Sequence, residues 1–139
     1  MTDASVGDPE RAIANVLSAY AHAVDDGDID AVLRYMSEDA VVQYEGGKFT
    51  LRGHAEIRKF LAGALIGAST HLISNVLVTH GDNNTDVRAS AIVCVTRLAG
   101  TVQIRGVTYR ARVIPSGQTW LMTSLAHKST WQFSAPLES

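Results

Sequence analysis

The predicted architecture depends most on the stretch Ser69-Thr70-His71-Leu72-Ile73-Ser74-Asn75-Val76-Leu77-Val78-Thr79-His80. It is rich in β-branched and aliphatic residues, contains neither Gly nor Pro, and runs into a turn-forming cluster at 81–84, so it predicts one long β-strand. Side chains alternate along a strand, which predicts two faces. These are His71, Ile73, Asn75 and Leu77 on one side and Leu72, Ser74, Val76 and Val78 on the other. Both faces are mostly apolar, and the presence of His71 and Asn75 on one of them predicts a lined pocket.

Length and composition limit the class of protein. The chain has 139 residues, of which 46% are hydrophobic and 19% charged, with a net charge of −2. These values predict one domain over 1–139, with an ordered core over about 9–133. The sequence has no basic cluster, no apolar run of roughly 18 residues and no signal-peptide pattern. We therefore expect neither a nucleic acid nor a membrane as a partner.

Cysteine and metal-ligand patterns narrow the chemistry further. Cys94 is the single cysteine, so an internal disulfide is excluded, which fits a cytoplasmic location. The sequence contains no CxxC, no HExxH and no Asp-rich calcium loop. We therefore expect no metal site and no cofactor.

Helices are predicted in the first part of the chain, after a frayed segment at 1–7. Asp8 is placed to cap a first helix, Pro9 suits its first position, and Gly27 is placed to end it. The apolar stripe of this helix consists of Ile13, Val16, Leu17, Tyr20 and Val24. A short second helix is predicted at about 29–36 and a third at about 54–65, with a strand at 40–44 and an extended piece at 49–51 between them.

The second part of the chain predicts strands and turns. Four strands are expected, at about 69–80, 86–98, 107–114 and 119–133, with a break near 99–100. Long antiparallel strands with helices grouped at the front predict an α+β domain. A strongly curved, mixed or antiparallel sheet wrapped around the N-terminal helices would leave a cavity between its concave face and the first and third helices.

Four local motifs accompany this arrangement. They are Tyr20-Ala21-His22-Ala23-Val24-Asp25-Asp26-Gly27-Asp28, Ser37-Glu38-Asp39-Ala40-Val41, Leu51-Arg52-Gly53-His54-Ala55-Glu56-Ile57 and Thr70-His71-Leu72-Ile73-Ser74-Asn75-Val76. Together with the element order, they resemble the SnoaL-like branch of the nuclear transport factor 2-like superfamily over about residues 9–133. The resemblance implies a cone-shaped α+β barrel. For function the resemblance implies a wide range of possible activities, because the superfamily includes dehydratases, isomerases, polyketide cyclases, dehydrochlorinases and non-enzymes.

The resemblance also implies a catalytic pair. Dehydratases and dehydrochlorinases of this type carry an Asp late in the first helix and a His on the strand after the third helix, which match Asp25 and His71. Helical periodicity leaves Asp25 and Asp26 as alternatives at the two edges of the polar arc, and the resemblance selects Asp25. Ketosteroid isomerases of the superfamily use a Tyr that Tyr20 matches, but their strand Asp is replaced here by Tyr44, which disfavours that mechanism.

A His–Asp pair in an apolar pocket is suited to general acid/base chemistry. The ordinary pKa of His, about 6.5, suits a base near neutral pH, and a carboxylate on its other nitrogen orients the ring and stabilises the imidazolium. Such a pair can remove a proton next to a carbonyl. The alternative interpretation is a half-buried strand histidine and a solvated carboxylate near a helix end.

Five further residues are candidate substrate contacts. Tyr20 and Tyr44 are possible donors to a carbonyl or enolate oxygen, or else core tyrosines. Asn75 shares the predicted face of His71, although a buried Asn also satisfies backbone groups. Arg112 is predicted to bind substrate, to balance a carboxylate or to lie in a subunit contact. His127 shares its face with apolar residues, which indicates pocket or core.

The sequence therefore predicts a cofactor-independent lyase, isomerase or cyclase that acts on a small hydrophobic, carbonyl-bearing molecule such as a polyketide, steroid or terpenoid intermediate. The competing hypothesis is that the chain is a non-catalytic module of the same fold that binds a small ligand or serves oligomerisation. Apolar residues on the outer sheet face predict a homo-oligomer, a dimer or trimer.

Overall fold

The computed structural model of the chain describes residues 8–65, 67–96 and 100–138. Three helices are present within these ranges, α1 (Pro9–Asp25), α2 (Ile29–Arg34) and α3 (Gly53–Ala64). The strands are β1 (Met36–Tyr44), β2 (Phe49–Arg52), β3 (Ala68–His80), β4 (Thr85–Thr96), β5 (Thr101–Ser116) and β6 (Thr119–Pro136). A 3-10 turn, Glu45–Gly47, joins β1 to β2. The α+β class is confirmed.

All six strands belong to one curved, unclosed sheet with the order β2-β1-β6-β5-β4-β3. The β1–β6 pair is parallel and the other four pairs are antiparallel, so the sheet is mixed. The buried side chains of α1 pack against β3 and β6, and α3 packs against β1 and β2. This placement leaves the end of α1 facing the concave side of the sheet.

The helix boundaries follow from local capping. The side chain of Asp8 accepts the amide hydrogen bond of Arg11, and that of Asp28 accepts the bond of Ala31. Gly27 has a φ of 69°, a left-handed conformation that favours glycine and ends α1. The predicted apolar stripe of α1 is buried: Ile13, Val16, Leu17, Tyr20 and Val24.

Several predicted boundaries were wrong. The second helix was predicted to run to 36, but Met36 begins β1, because the carbonyl of Tyr35 already accepts a bond from the amide of Met122 in β6. Strand β5 begins at Thr101 rather than 107. The frayed segment predicted at 1–7, the predicted strand end at 98 and residue 99 of the predicted break lie outside the described residues.

Strand β3 differs from the predicted alternation in its second half. Asn75 has a φ of 55°, and the pairing with β4 shifts register between Ser74 and Leu77. This bulge reverses the alternation, so Val76 and Val78 pack against the core while Leu77 is 62% exposed. The predicted face containing His71, Asn75 and Leu77 was therefore wrong beyond Ser74.

The outer face of the sheet carries a row of exposed apolar side chains. Leu72 pairs with Ile92, Ile92 with Gly106, and Gly106 with Trp131. A Cβ at Gly106 would collide with the indole of Trp131, so this glycine is needed for the indole to lie flat on the strand. The predicted homo-oligomer stays a prediction. No helix in the described part of the chain is long and apolar enough to cross a membrane.

Candidate active site

A cavity of about 390 Å³ lies between the concave face of the sheet, the end of α1 and the inner side of α3. Aromatic rings form much of its wall, and Tyr44 lies at their centre. The Tyr44 ring contacts those of Phe49, Phe60 and His127 with centroid distances of 4.9, 4.9 and 4.6 Å. The cavity is therefore apolar along one side, with a few polar groups directed toward it.

Asp25 and His71 meet at the edge of this cavity. Asp25 is the last residue of α1, and His71 lies near the start of β3. The ring Nδ1 of His71 lies 2.5 Å from Oδ1 of Asp25, and the backbone amide of His71 donates to Oδ2 at 2.9 Å. The hydroxyl of Ser69 donates to Oδ1 at 2.9 Å. The His71 and Asp25 side chains are only 10% and 18% exposed, so this carboxylate–imidazole pair is largely screened from solvent.

The hydrogen bonds keep Asp25 ionised and set the tautomer that the His71 ring adopts when it is neutral. Burial alone would raise the pKa of Asp25, but the bonds from the His71 amide, the His71 ring and Ser69 outweigh it and hold the pKa below its ordinary value. The ionised carboxylate accepts the Nδ1 proton, which assigns the lone pair of the neutral ring to Nε2. No described residue hydrogen-bonds Nε2, so this atom is available as a base.

Three side chains from neighbouring strands form one row across the concave face. Tyr109 of β5 pairs with His127 of β6, which pairs with Tyr44 of β1. The ring centroids of Tyr109 and His127 are 4.7 Å apart. From α1, the hydroxyl of Tyr20 lies 3.4 Å from Nε2 of His127. Burial, with smaller contributions from the charges of His71 and Arg105, lowers the pKa of His127 to about 3, so its ring is neutral.

The tyrosine hydroxyls are kept as neutral donors. Burial raises the pKa of Tyr44 to about 12 and raises the pKa values of Tyr20 and Tyr109 further above the ordinary value. Within the described ranges, no protein group accepts a hydrogen bond from the hydroxyl of Tyr44 or Tyr109. These two phenols can therefore donate to an oxygen of a bound molecule.

Comparison with known proteins bears on this arrangement. The sequence model of the family described as the SnoaL-like domain matches residues 8–126. This chain belongs to the SnoaL-like domain family. The resemblance inferred from the four sequence motifs is thereby confirmed. No match was found among proteins of curated function.

Solved structures similar to this SnoaL-like domain include several from one bacterium. A candidate aromatic ring hydroxylase from Novosphingobium aromaticivorans DSM is 28% identical, with a TM-score of 0.82 and 93% of each chain covered. A candidate scytalone dehydratase from Novosphingobium aromaticivorans DSM 12444 is 19% identical, with a TM-score of 0.80 over 93% of this chain and 89% of that one. The hexachlorocyclohexane dehydrochlorinase LinA type 2 is 14% identical, with a TM-score of 0.77 over 93% and 88% of the two chains. The last two establish likeness of fold.

Five of the seven predicted site residues line the cavity of the SnoaL-like domain: Tyr20, Asp25, Tyr44, His71 and His127. Asn75 does not, because the bulge turns it to solvent. Arg112 does not either, because it lies on the outer face, where its Nε donates to Asp86 at 2.9 Å in an exposed ion pair. Neither Asn75 nor Arg112 therefore lines the candidate cavity.

Sequence reasoning missed Tyr109 and Arg105, which line the cavity from β5. A signal was present in the strand itself. Val107, Ala111 and Val113 are apolar, whereas the intervening positions are polar, so alternation would have turned Tyr109 inward and Arg112 outward. In the described part of the chain, no group of three or more His, Cys, Asp or Glu side chains is placed to hold a metal ion.

Proposed function

We propose that this SnoaL-like protein is a cofactor-independent general acid/base enzyme, a lyase, isomerase or cyclase, acting on a small hydrophobic, carbonyl-bearing substrate such as a polyketide, steroid or terpenoid intermediate. The observation that carries the proposal is the Asp25–His71 pair at the edge of an aromatic cavity, with Nε2 of His71 free of hydrogen bonds to the described residues. Three hydrogen bonds orient the Asp25 carboxylate, from Ser69 and from the ring and amide of His71. A solvated histidine on the surface would not need a carboxylate oriented in this way.

In the proposed reaction, Nε2 of His71 removes a proton from the carbon next to the substrate carbonyl. The electron pair of that C–H bond moves to the carbonyl oxygen and forms an enolate, to which Tyr44 and Tyr109 donate hydrogen bonds. The ionised Asp25 stabilises the imidazolium through Nδ1. The same proton can then pass to a leaving group, giving elimination, or to another carbon, giving isomerisation. Attack of the enolate carbon on a second carbonyl gives ring closure.

The comparisons make elimination the first reaction to test, because two of the similar structures are named as a dehydratase and a dehydrochlorinase. The assay is a panel of cyclic β-hydroxyketones, in which loss of water forms a conjugated enone that is followed by its absorbance. We expect turnover by the natural protein and its loss by about 10²- to 10⁴-fold in His71→Gln.

The matched control is His80→Gln. His80 lies on the same strand but is exposed and contacts Glu10 and Thr85 outside the cavity. This variant should retain full activity. Equal turnover by His71→Gln and the natural protein would reject the pair as catalytic machinery, and ligand binding without turnover in the natural protein would indicate a binding module instead.

Two further properties are proposed with this function. The exposed apolar side chains of Leu72, Ile92 and Trp131 support a homo-oligomer, dimer or trimer, formed through the outer sheet face. Light scattering on the purified chain measures this state, and a monomer would reject it. The lone Cys94 supports a cytoplasmic location.

A further inference from the structure

Arg105 and the candidate base His71 lie at the same level of the concave face. His71 of β3 pairs with Val93 of β4, and Val93 pairs with Arg105 of β5. Because neighbouring strands are 4.7–4.9 Å apart, the two residues start about 10 Å from each other across the sheet. Both line the cavity. A molecule in the cavity between these two residues would therefore have the imidazole on one side and the guanidinium on the other.

The guanidinium of Arg105 has few partners. Its Nη1 donates to the hydroxyl of Ser129 at 3.3 Å, while the carboxylate of Glu45 is 4.0 Å away. That carboxylate also accepts the backbone amide of Ser129 at 3.2 Å and its hydroxyl at 2.8 Å, so it is shared between Arg105 and Ser129. Among the described residues, the Nε of Arg105 is buried without any hydrogen-bond partner. Most of the five donors of this side chain thus have no hydrogen-bond partner in the part of the chain that the structure describes.

Such a cation is unusual in an aromatic cavity. The Arg105 side chain is only 25% exposed, and it is the one Lys or Arg among the described residues that line the cavity. Its charge acts on the two tyrosines of the row formed by Tyr44, His127 and Tyr109. Burial raises the pKa values of Tyr44 and Tyr109, and the charge of Arg105 counteracts that rise. An under-paired cation with low solvent exposure favours an anionic oxygen group as its partner.

We propose that Arg105 binds a carboxylate of the ligand and makes this cavity selective for small ring acids. The ring would lie against the aromatic wall, with its carboxylate at Arg105 and its reactive C–H bond at His71. Arg105 is therefore a specificity-determining residue rather than part of the proton transfer. This inference rests on the proposed function only in taking the cavity as the substrate site.

The test uses two probes of nearly equal shape, 2-naphthoate and its neutral counterpart 2-naphthamide, titrated into the full chain by isothermal calorimetry at pH 7. A charge-assisted hydrogen bond predicts that the natural protein binds the acid about 10- to 100-fold more tightly than the amide. In Arg105→Gln the two affinities should converge to within about threefold. Arg105→Lys keeps the charge without the planar fork and should retain part of the preference.

Two control variants separate this proposal from the others. Arg112→Gln removes an arginine from the outer face of the same strand and should leave the preference unchanged. His71→Gln should also keep the preference, because it removes the candidate base and not the cation. The preference for the acid in an inactive His71→Gln protein would show that ligand selection and proton transfer are separable. A catalytic failure of His71 therefore leaves the test of Arg105 intact.

Three results would overturn the assignment. These are equal affinities of the natural protein for acid and amide, absence of any binding of 2-naphthoate, and a preference that persists in Arg105→Gln. If Arg105→Gln does not fold, as judged by circular dichroism, the first two results and a full, undiminished preference in Arg105→Lys still count against bidentate carboxylate binding.

Discussion

Asp25 contacts His71 through both the ring and the backbone, with one carboxylate oxygen on Nδ1 and the other on the amide nitrogen. The backbone bond joins the end of α1 to β3 independently of the ring. It therefore positions the carboxylate before any ligand binds. The ring bond then sets which nitrogen carries the proton, so structural support and chemical orientation come from the same side chain.

Asp25→Asn should retain the fold but lose activity. The Asn amide oxygen can still accept from the His71 backbone, whereas its NH₂ group would donate to Nδ1 and shift the ring proton to Nε2. The base is then blocked, and we expect turnover to fall by about 10²- to 10⁴-fold. Ser69→Ala removes a single bond to the same carboxylate and should cost far less. Enone formation by the two variants measures the difference, and wild-type turnover in Asp25→Asn would contradict the proposed role.

His127 should make the protein less stable in mild acid. Its pKa of about 3 in the folded state lies below the ordinary value of 6.5, so below pH 6.5 the unfolded chain takes up a proton that the folded chain does not. Stability contributed by the neutral ring is complete above pH 6.5 and falls toward pH 3, by up to about 1.4 kcal/mol per pH unit. Urea unfolding at pH 7 and pH 5 should show a loss larger by about 2 kcal/mol in the natural protein than in His127→Gln. Parallel pH profiles would contradict the depressed pKa.

Tyr44 and Tyr109 should each contribute to turnover through their hydroxyls. Phenylalanine preserves the ring that packs against His127 and removes the donor, so both Tyr→Phe variants should fold normally. Loss of one oxyanion donor predicts a decrease in kcat of about 10²- to 10³-fold. Tyr35→Phe is the control, because Tyr35 lies between α2 and β1 away from the cavity lining. Unchanged kcat in both cavity variants would exclude these phenols from the reaction.

Asn75 should matter for stability and not for binding. Its φ of 55° suits Asn and Gly but strains a β-branched residue. Asn75→Gly should therefore unfold at nearly the same urea concentration as the natural protein, whereas Asn75→Val should lose about 1–3 kcal/mol. Both should bind 2-naphthoate with unchanged affinity if the natural protein binds it. A weaker affinity of the glycine variant for 2-naphthoate would indicate that Asn75 does contribute to ligand binding.

Features that depend on near neighbours in the chain were predictable. Capping by Asp8 and Asp28, termination at Gly27 and the buried stripe of α1 all follow from residues within a few positions of one another. Motifs of the same short range were sufficient to suggest the family and, through it, the pairing of Asp25 with His71. The alternating pattern of β5 is also sufficient to place Arg112 on the outer face of the sheet.

Other features depended on contacts distant in sequence. The bulge at Asn75 reverses the side-chain alternation of β3, and nothing in the alternating apolar pattern marks the position at which this happens. Likewise, the start of β1 at Met36 depends on its pairing with Met122 in β6.

The residue types of the chain were thus enough to establish an α+β domain of the SnoaL-like family and to suggest its acid/base pair. They were not enough to assemble the cavity, where Arg105 stands opposite His71 and Tyr109 stands beside His127. Caps and periodicities act over a few residues and can be read along the chain. The neighbours of a cavity are set by the register between strands far apart in sequence, which exists only once the sheet has formed.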